Sequence, residues 1–222
     1  MEFYLDSADL NVIEHFNRLI PLAGVTTNPT IVAKQELRLN QLLPRLRELL
    51  GPEAIIHAQL VSQEESSMIK EGMALAQCDP NLVIKVPVTE TGLRVIRALK
   101  SRQQRVLGTA VYSASQGLMA ALAGADYVAP YVNRIDTLPG DGVATVASLQ
   151  DVLEAQQLPC KILAASFKSS AQAMKVIEAG VAAITLPADV AYQMLNHPAV
   201  PGALEQFAED WQHRFGQSLS YT

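Results

Sequence analysis

The chain has 222 residues, of which 49% are hydrophobic and 18% charged, with a formal net charge of −5. That composition allows a large buried core and carries none of the marks of disorder. Scattered basic residues in a net-acidic chain offer no continuous patch to a nucleic-acid backbone, and no apolar run approaches the ~18 residues that cross a bilayer, so neither nucleic acid nor membrane is an expected partner.

The N-terminal stretch MEFYLDSADL has no basic segment followed by an apolar one, which makes a cytoplasmic location the default expectation. Along the chain, short apolar or β-rich runs recur at FYLD (3–6), GVTTN (24–28), AIIHAQL (54–60), LVIKVPV (82–88), RVLGTAV (105–111), YVAPYV (127–132), KILAAS (161–166) and AITLP (183–187). Between most of them lie segments of helical periodicity, at 39–50, 91–101, 113–125, 143–157 and 169–180. Ser7 or Asp9, and Thr89, are suited to cap helix N-termini, while Gly124 and Gly180 fall where helix C-termini favour glycine. Eight strands alternating with helices in about this length predict an α/β fold, a single (β/α)8 TIM barrel domain over 1–222, with an open doubly wound sheet as the alternative.

Past the eighth strand, 203–216 predicts an additional C-terminal helix that gathers Leu204, Phe207, Trp211 and Phe215 on one face. Such a face either packs on its own barrel or docks on a neighbouring subunit. Cys78 and Cys160 lie outside any CxxC pattern and are expected as reduced thiols. His15, His57, His197 and His213 show no metal-ligand spacing, so no catalytic metal is expected.

The stretch VIKVPVT (83–89) places Lys85 within a β-branched run of the kind buried in a parallel sheet. Side chains alternate along a strand, so if Lys85 points into the barrel, Val83 and Pro87 do too, and Ile84 and Val86 face the helices. The same count sets Asp6, Thr26 with Asn28, Gln59, Thr109, Tyr131 and Ser166 at or near the C-terminal ends of their strands. That is the end at which barrel enzymes build their sites. For Lys85 the alternatives are a buried salt bridge, for example to Asp6, and a Schiff-base nucleophile. An amine attacks a carbonyl only when unprotonated, and burial disfavours its charged form.

The motifs LDSAD, GVTTNPT, VIKVPVT, LGTAVYSASQG, YVAPYVNRID and LAASF together resemble the transaldolase and fructose 6-phosphate aldolase family over essentially the whole chain. The resemblance implies a class I, metal-free barrel enzyme that needs no cofactor beyond a lysine Schiff base, placed at Lys85, and that acts on small sugar phosphates. Within the family, transaldolases carry a glutamate on the third strand and typically phenylalanine in an APFV motif. This chain has Gln59 and Tyr131 there, which looks like fructose 6-phosphate aldolase. Tyr131 is then the acid/base, acting through a water held by Gln59 and Thr109; otherwise it is a buried aromatic with its hydroxyl satisfied.

By the same resemblance Asp6 and Asn28 hold donor hydroxyls with Thr26 beside them, and Arg134 and Ser166 bind the acceptor phosphate. Arg134 is otherwise a plain surface cation, and Arg105 and Lys168 are weaker candidates. His57 departs from the aromatic usual at its position; it is expected as a core histidine hydrogen-bonded inside the barrel, or as a second titrating group near the site. The implied reaction is cleavage of fructose 6-phosphate to dihydroxyacetone and glyceraldehyde 3-phosphate. The alternatives are a transaldolase, a pyridoxal-phosphate enzyme using a barrel lysine, and a non-catalytic sugar-phosphate sensor. The resemblance also implies a homo-oligomer, a decamer of two five-membered rings with exchanged C-terminal helices.

Overall fold

β1 (Glu2–Asp6) and β8 (Ala183–Leu186) pair in parallel, with Glu2 opposite Ala183 and Leu5 opposite Leu186, and so join the first strand to the last. The computed structural model describes residues 1–217 and 220. Within them β2 (Gly24–Thr26), β3 (Ile55–Gln59), β4 (Leu82–Pro87), β5 (Arg105–Val111), β6 (Tyr127–Pro130) and β7 (Lys161–Ala164) complete a closed parallel barrel in sequence order. Closure excludes the open sheet. Residues 218, 219, 221 and 222 of the expected domain span lie outside the described residues.

Around the barrel run α1 (Leu10–Leu19), α2 (Pro29–Val32), α3 (Leu39–Leu50), α4 (Glu65–Cys78), α5 (Glu90–Lys100), α6 (Ala114–Leu122), α7 (Val132–Asp136), α8 (Gly142–Ala155), α9 (Ser170–Glu178) and α10 (Ala188–Leu195), followed by α11 (Val200–Phe215). Of the two candidate first caps it is Asp9 that serves, accepting from the amides of Asn11 and Val12. Thr89 caps α5 through the amide of Gly92. Gly124 and Gly180 follow α6 and α9 at φ 98° and 83°, a left-handed conformation that costs a side-chain-bearing residue steric strain.

Strand alternation divides the interior into two cores. Ile84 and Val86 join the large layer between strands and helices, whereas Val83 packs inside the barrel with Tyr4, Leu107, Tyr127 and Leu163. This is the division expected of a strand whose lysine points inward. The barrel can close at β2 only with glycine: a Cβ on Gly24, at φ 156°, would sit 1.8 Å from the carbonyl oxygen of Ile55 on β3. At the N-terminal end of the barrel Glu2 accepts hydrogen bonds from the hydroxyls of Tyr4 (2.7 Å) and Tyr127 (2.9 Å) and from Lys161 Nζ (2.6 Å).

Three expectations need correction. β6 ends at Pro130, so Tyr131 is not a strand residue; it caps α7 and keeps a single bridge to Ala165. β7 ends at Ala164, and Ser166 lies beyond it at φ 65°. The C-terminal helix begins at Val200 rather than 203, and every residue of α11 is exposed, Phe207 by 66% and Trp211 by 38%. Leu204, Phe207 and Phe215 on its apolar face each leave more than half of their surface uncovered. Among the described residues no helix is long and apolar enough to cross a membrane.

Candidate active site

The C-terminal strand ends open into a cavity of about 250 Å³ lined by Asp6, Asn28, Lys85, Tyr131, Arg134 and Ser166, with Asn133, Lys168 and Pro187 completing the wall. A larger groove of about 670 Å³ along α8 and α9 holds none of the strand-end residues and is not a candidate on that ground. Six of the nine residues singled out in the sequence thus share one cavity. The other three, Thr26, Gln59 and Thr109, stand outside its lining.

Lys85 is 5% exposed, and its Nζ donates to the carbonyl oxygen of Thr27 at 2.8 Å. The salt bridge to Asp6 is not formed: no carboxylate lies within 4.0 Å of this amine among the described residues. Burial pushes the amine below the usual lysine range, and the charge of Asp6 opposes that with a smaller effect. The geometry thus supplies what imine formation needs, an amine that loses its proton more easily than an exposed lysine.

Asp6 instead accepts a hydrogen bond from the Thr26 hydroxyl at 2.6 Å. Thr26 Oγ1 in turn lies 2.7 Å from Thr185 Oγ1 on β8, so a buried threonine pair orients the carboxylate from behind. Asn28 caps α2, its side-chain oxygen accepting from the Ile31 amide at 2.9 Å. With that oxygen committed, its amide N–H groups are the part left to donate.

Across the cavity, Tyr131 OH sits 2.8 Å from Thr109 Oγ1. Thr109 is fully buried and lies within an irregularity in β5: pairing with β6 slips between Gly108 and Val111, and Ala110 adopts φ 57°. Bulges of this kind re-aim side chains beside active sites. Burial raises the Tyr131 phenol above its ordinary range, and the Thr109 hydrogen bond and the Arg134 charge offset this only in part. The phenol is therefore protonated at neutral pH and can act as a donor. The Arg134 guanidinium lies over the Tyr131 ring, 4.7 Å from its centroid, and donates to Tyr112 OH at 3.4 Å.

Gln59 is paired in register with Lys85 across β3 and β4. Arg105 belongs to the opposite end of the barrel, where it donates to the carbonyl of Asn81. Lys168, rated a weaker candidate on sequence, lines the cavity together with Arg134. The two cations suit an anionic substituent. His57 is fully buried, but neither ring nitrogen has a hydrogen-bond partner among the described residues, contrary to the hydrogen-bonded core histidine expected.

Sequence reasoning passed over Thr185, Tyr112, Asn133 and the carbonyl of Thr27. Thr185 was within reach of the same alternation count, since it faces inward from AITLP. The others depend on loops and on backbone atoms, which carry no pattern in sequence. Among the described residues no three His, Cys, Asp or Glu side chains form a group that could hold a metal ion.

Solved structures similar to this chain include a single-substitution mutant of flavocytochrome b2 and a double mutant of that protein with sulfite bound. Each has 10% identity and a TM-score of 0.61, over 84% of this chain and 56% of theirs. The chain thus spans little more than half the length of these proteins, and at that identity the likeness is one of barrel fold. The profile described as Transaldolase/Fructose-6-phosphate aldolase matches residues 3–220, nearly the whole length, and on that match the chain belongs to this family of aldolases and transaldolases.

Proposed function

We propose that the protein is a class I aldolase that reversibly cleaves fructose 6-phosphate to dihydroxyacetone and glyceraldehyde 3-phosphate, with Lys85 as the Schiff-base nucleophile. The observation that carries this reading is the pairing, in one cavity, of a buried amine with a protonated phenol, Tyr131, held at 2.8 Å from Thr109. Unprotonated Lys85 Nζ adds to the C2 carbonyl, and loss of water gives an iminium ion. Breaking C3–C4 moves the bonding pair onto C3 as an enamine, and the C4 hydroxyl passes its proton to the water held with Tyr131, Gln59 and Thr109 as the aldehyde forms.

Discharge of the enamine needs a proton at C3 and then water at C2. Tyr131 supplies the proton, directly or through a water held with Gln59 and Thr109, and phenylalanine at this position could not. Asp6 and Asn28 hold the donor hydroxyls. Arg134 and Ser166 bind the phosphate, and Lys168 joins them at the mouth. No cofactor beyond the lysine enters this scheme. The exposed apolar face of α11 supports the homo-oligomeric reading, in which a neighbouring subunit covers it; a monomeric native mass would contradict that.

Borohydride reduction in the presence of dihydroxyacetone tests the covalent step. Peptide mass mapping is expected to find the reduced three-carbon adduct on Lys85. An adduct on another lysine, or none, would overturn the assignment.

A further inference from the structure

Inside the barrel, one pleat below Gln59 on β3, His57 is fully buried among side chains that leave both its ring nitrogens unpartnered. Its ring meets Tyr4 at 5.0 Å and Tyr127 at 5.4 Å, edge to face, but both phenol hydroxyls are committed to Glu2 at the far end of the barrel. A neutral imidazole carries one donor and one acceptor, and a buried polar group without a partner is costly. Small side chains, Ala23, Ala129, Ala165 and Ala183, contribute to the same interior cluster as the two tyrosines. Buried water satisfies polar groups of this kind where it has two to four polar partners and room to sit.

A group with unused hydrogen-bonding capacity stands on the adjacent strand. β3 and β4 pair His57 with Val83 and Gln59 with Lys85, so His57 and Lys85 face the barrel interior one pleat apart. Lys85 uses one donor, to Thr27 O, and an amine or ammonium has further valences to fill. We propose that His57 is a positioning residue for Lys85: its ring nitrogens hold an internal water, and that water hydrogen-bonds the lysine amine from the floor of the site.

This inference rests on Lys85 being the reactive amine. The groups that face His57 are Tyr4 from β1, Lys85 from β4, Arg105 from β5 and Tyr127 from β6, with Glu2 and Lys161 beyond the tyrosines. Burial holds the imidazole well below its ordinary range, with the charges of Lys85 and Arg105 acting in the same direction, so His57 is neutral at neutral pH. A water bridge from a neutral ring favours the ammonium over the amine. Removing it leaves the ammonium less well solvated, and the amine forms at lower pH.

The test is the pH dependence of borohydride trapping with dihydroxyacetone in wild type and His57→Phe. The acidic limb of the trapping rate is expected to move to lower pH by about half a unit or more in the variant. An unmoved limb in a folded variant would overturn the proposal and leave His57 a packing residue. Should His57→Phe fail to fold, ¹⁵N spectra of the imidazole decide. In wild type they should report a neutral, hydrogen-bonded ring whose shifts change in Lys85→Met, and identical shifts in the two proteins would refute the link. Absence of trapping in wild type would count against Lys85 as the nucleophile, whereas the spectra read the coupling independently of that.

Discussion

Replacing Lys85 by methionine is expected to lower fructose 6-phosphate turnover by more than ~10³-fold while the barrel still folds. Methionine matches the reach of the lysine stem, and its thioether suits a site that is 5% exposed. The hydrogen bond to Thr27 O is lost and a buried amine is removed with it, so the unfolding free energy should stay within about 2 kcal/mol of wild type at neutral pH. Stability should also separate the two proteins by pH. Burial lowers the folded-state pKa of Lys85 below its unfolded value of 10.5, so as pH falls through that interval the unfolded chain takes up a proton that the folded chain does not. Wild type loses stability across the interval, and the loss is complete below the folded pKa. Lys85→Met lacks the group and should gain in relative stability as pH falls from above 10.5. Retained turnover, or a stability difference that does not vary with pH, would remove Lys85 from its role as a buried, depressed nucleophile.

Tyr131→Phe is expected to leave donor binding within about 3-fold of wild type but to slow dihydroxyacetone release by ~10²–10⁴-fold, the usual range for loss of a positioned acid/base. The ring keeps its contacts with Tyr112 and Arg134, while Thr109 Oγ1 loses the partner now 2.8 Å away. Cleavage precedes the proton transfer, so glyceraldehyde 3-phosphate should appear in a burst and then stall. Adding erythrose 4-phosphate, which takes the enamine carbon without needing a proton there, should restart the reaction and make the variant behave as a transaldolase. Kinetics equal to wild type in both phases would take Tyr131 out of the mechanism.

The barrel was legible because its signals are periodic. Inward Val83 and Lys85 against outward Ile84 and Val86 is an alternation that any reader of 83–88 can count, and the same count sets Asp6 and Lys85 in one cavity. Periodicity fails where the chain leaves the ladder. Apolar runs continue through Tyr131 and Ser166, yet both lie past the ends of their strands, Ser166 at φ 65°. Lys85 illustrates a second limit. That it is buried could be inferred from its neighbours, but its partner is a backbone carbonyl contributed by a residue 58 positions away, and a carbonyl has no sequence signature. The face of α11 was legible as apolar from its spacing alone.

Whether the enamine is discharged within the site separates an aldolase from a transaldolase on the same barrel, and it is read by the time course of glyceraldehyde 3-phosphate release from fructose 6-phosphate with no acceptor aldose present. The wild-type protein is expected to release product continuously over many turnovers, in step with free dihydroxyacetone. A burst of about one equivalent per active site that resumes only on addition of erythrose 4-phosphate would contradict the account, because it would mean that the Tyr131 phenol does not protonate the intermediate.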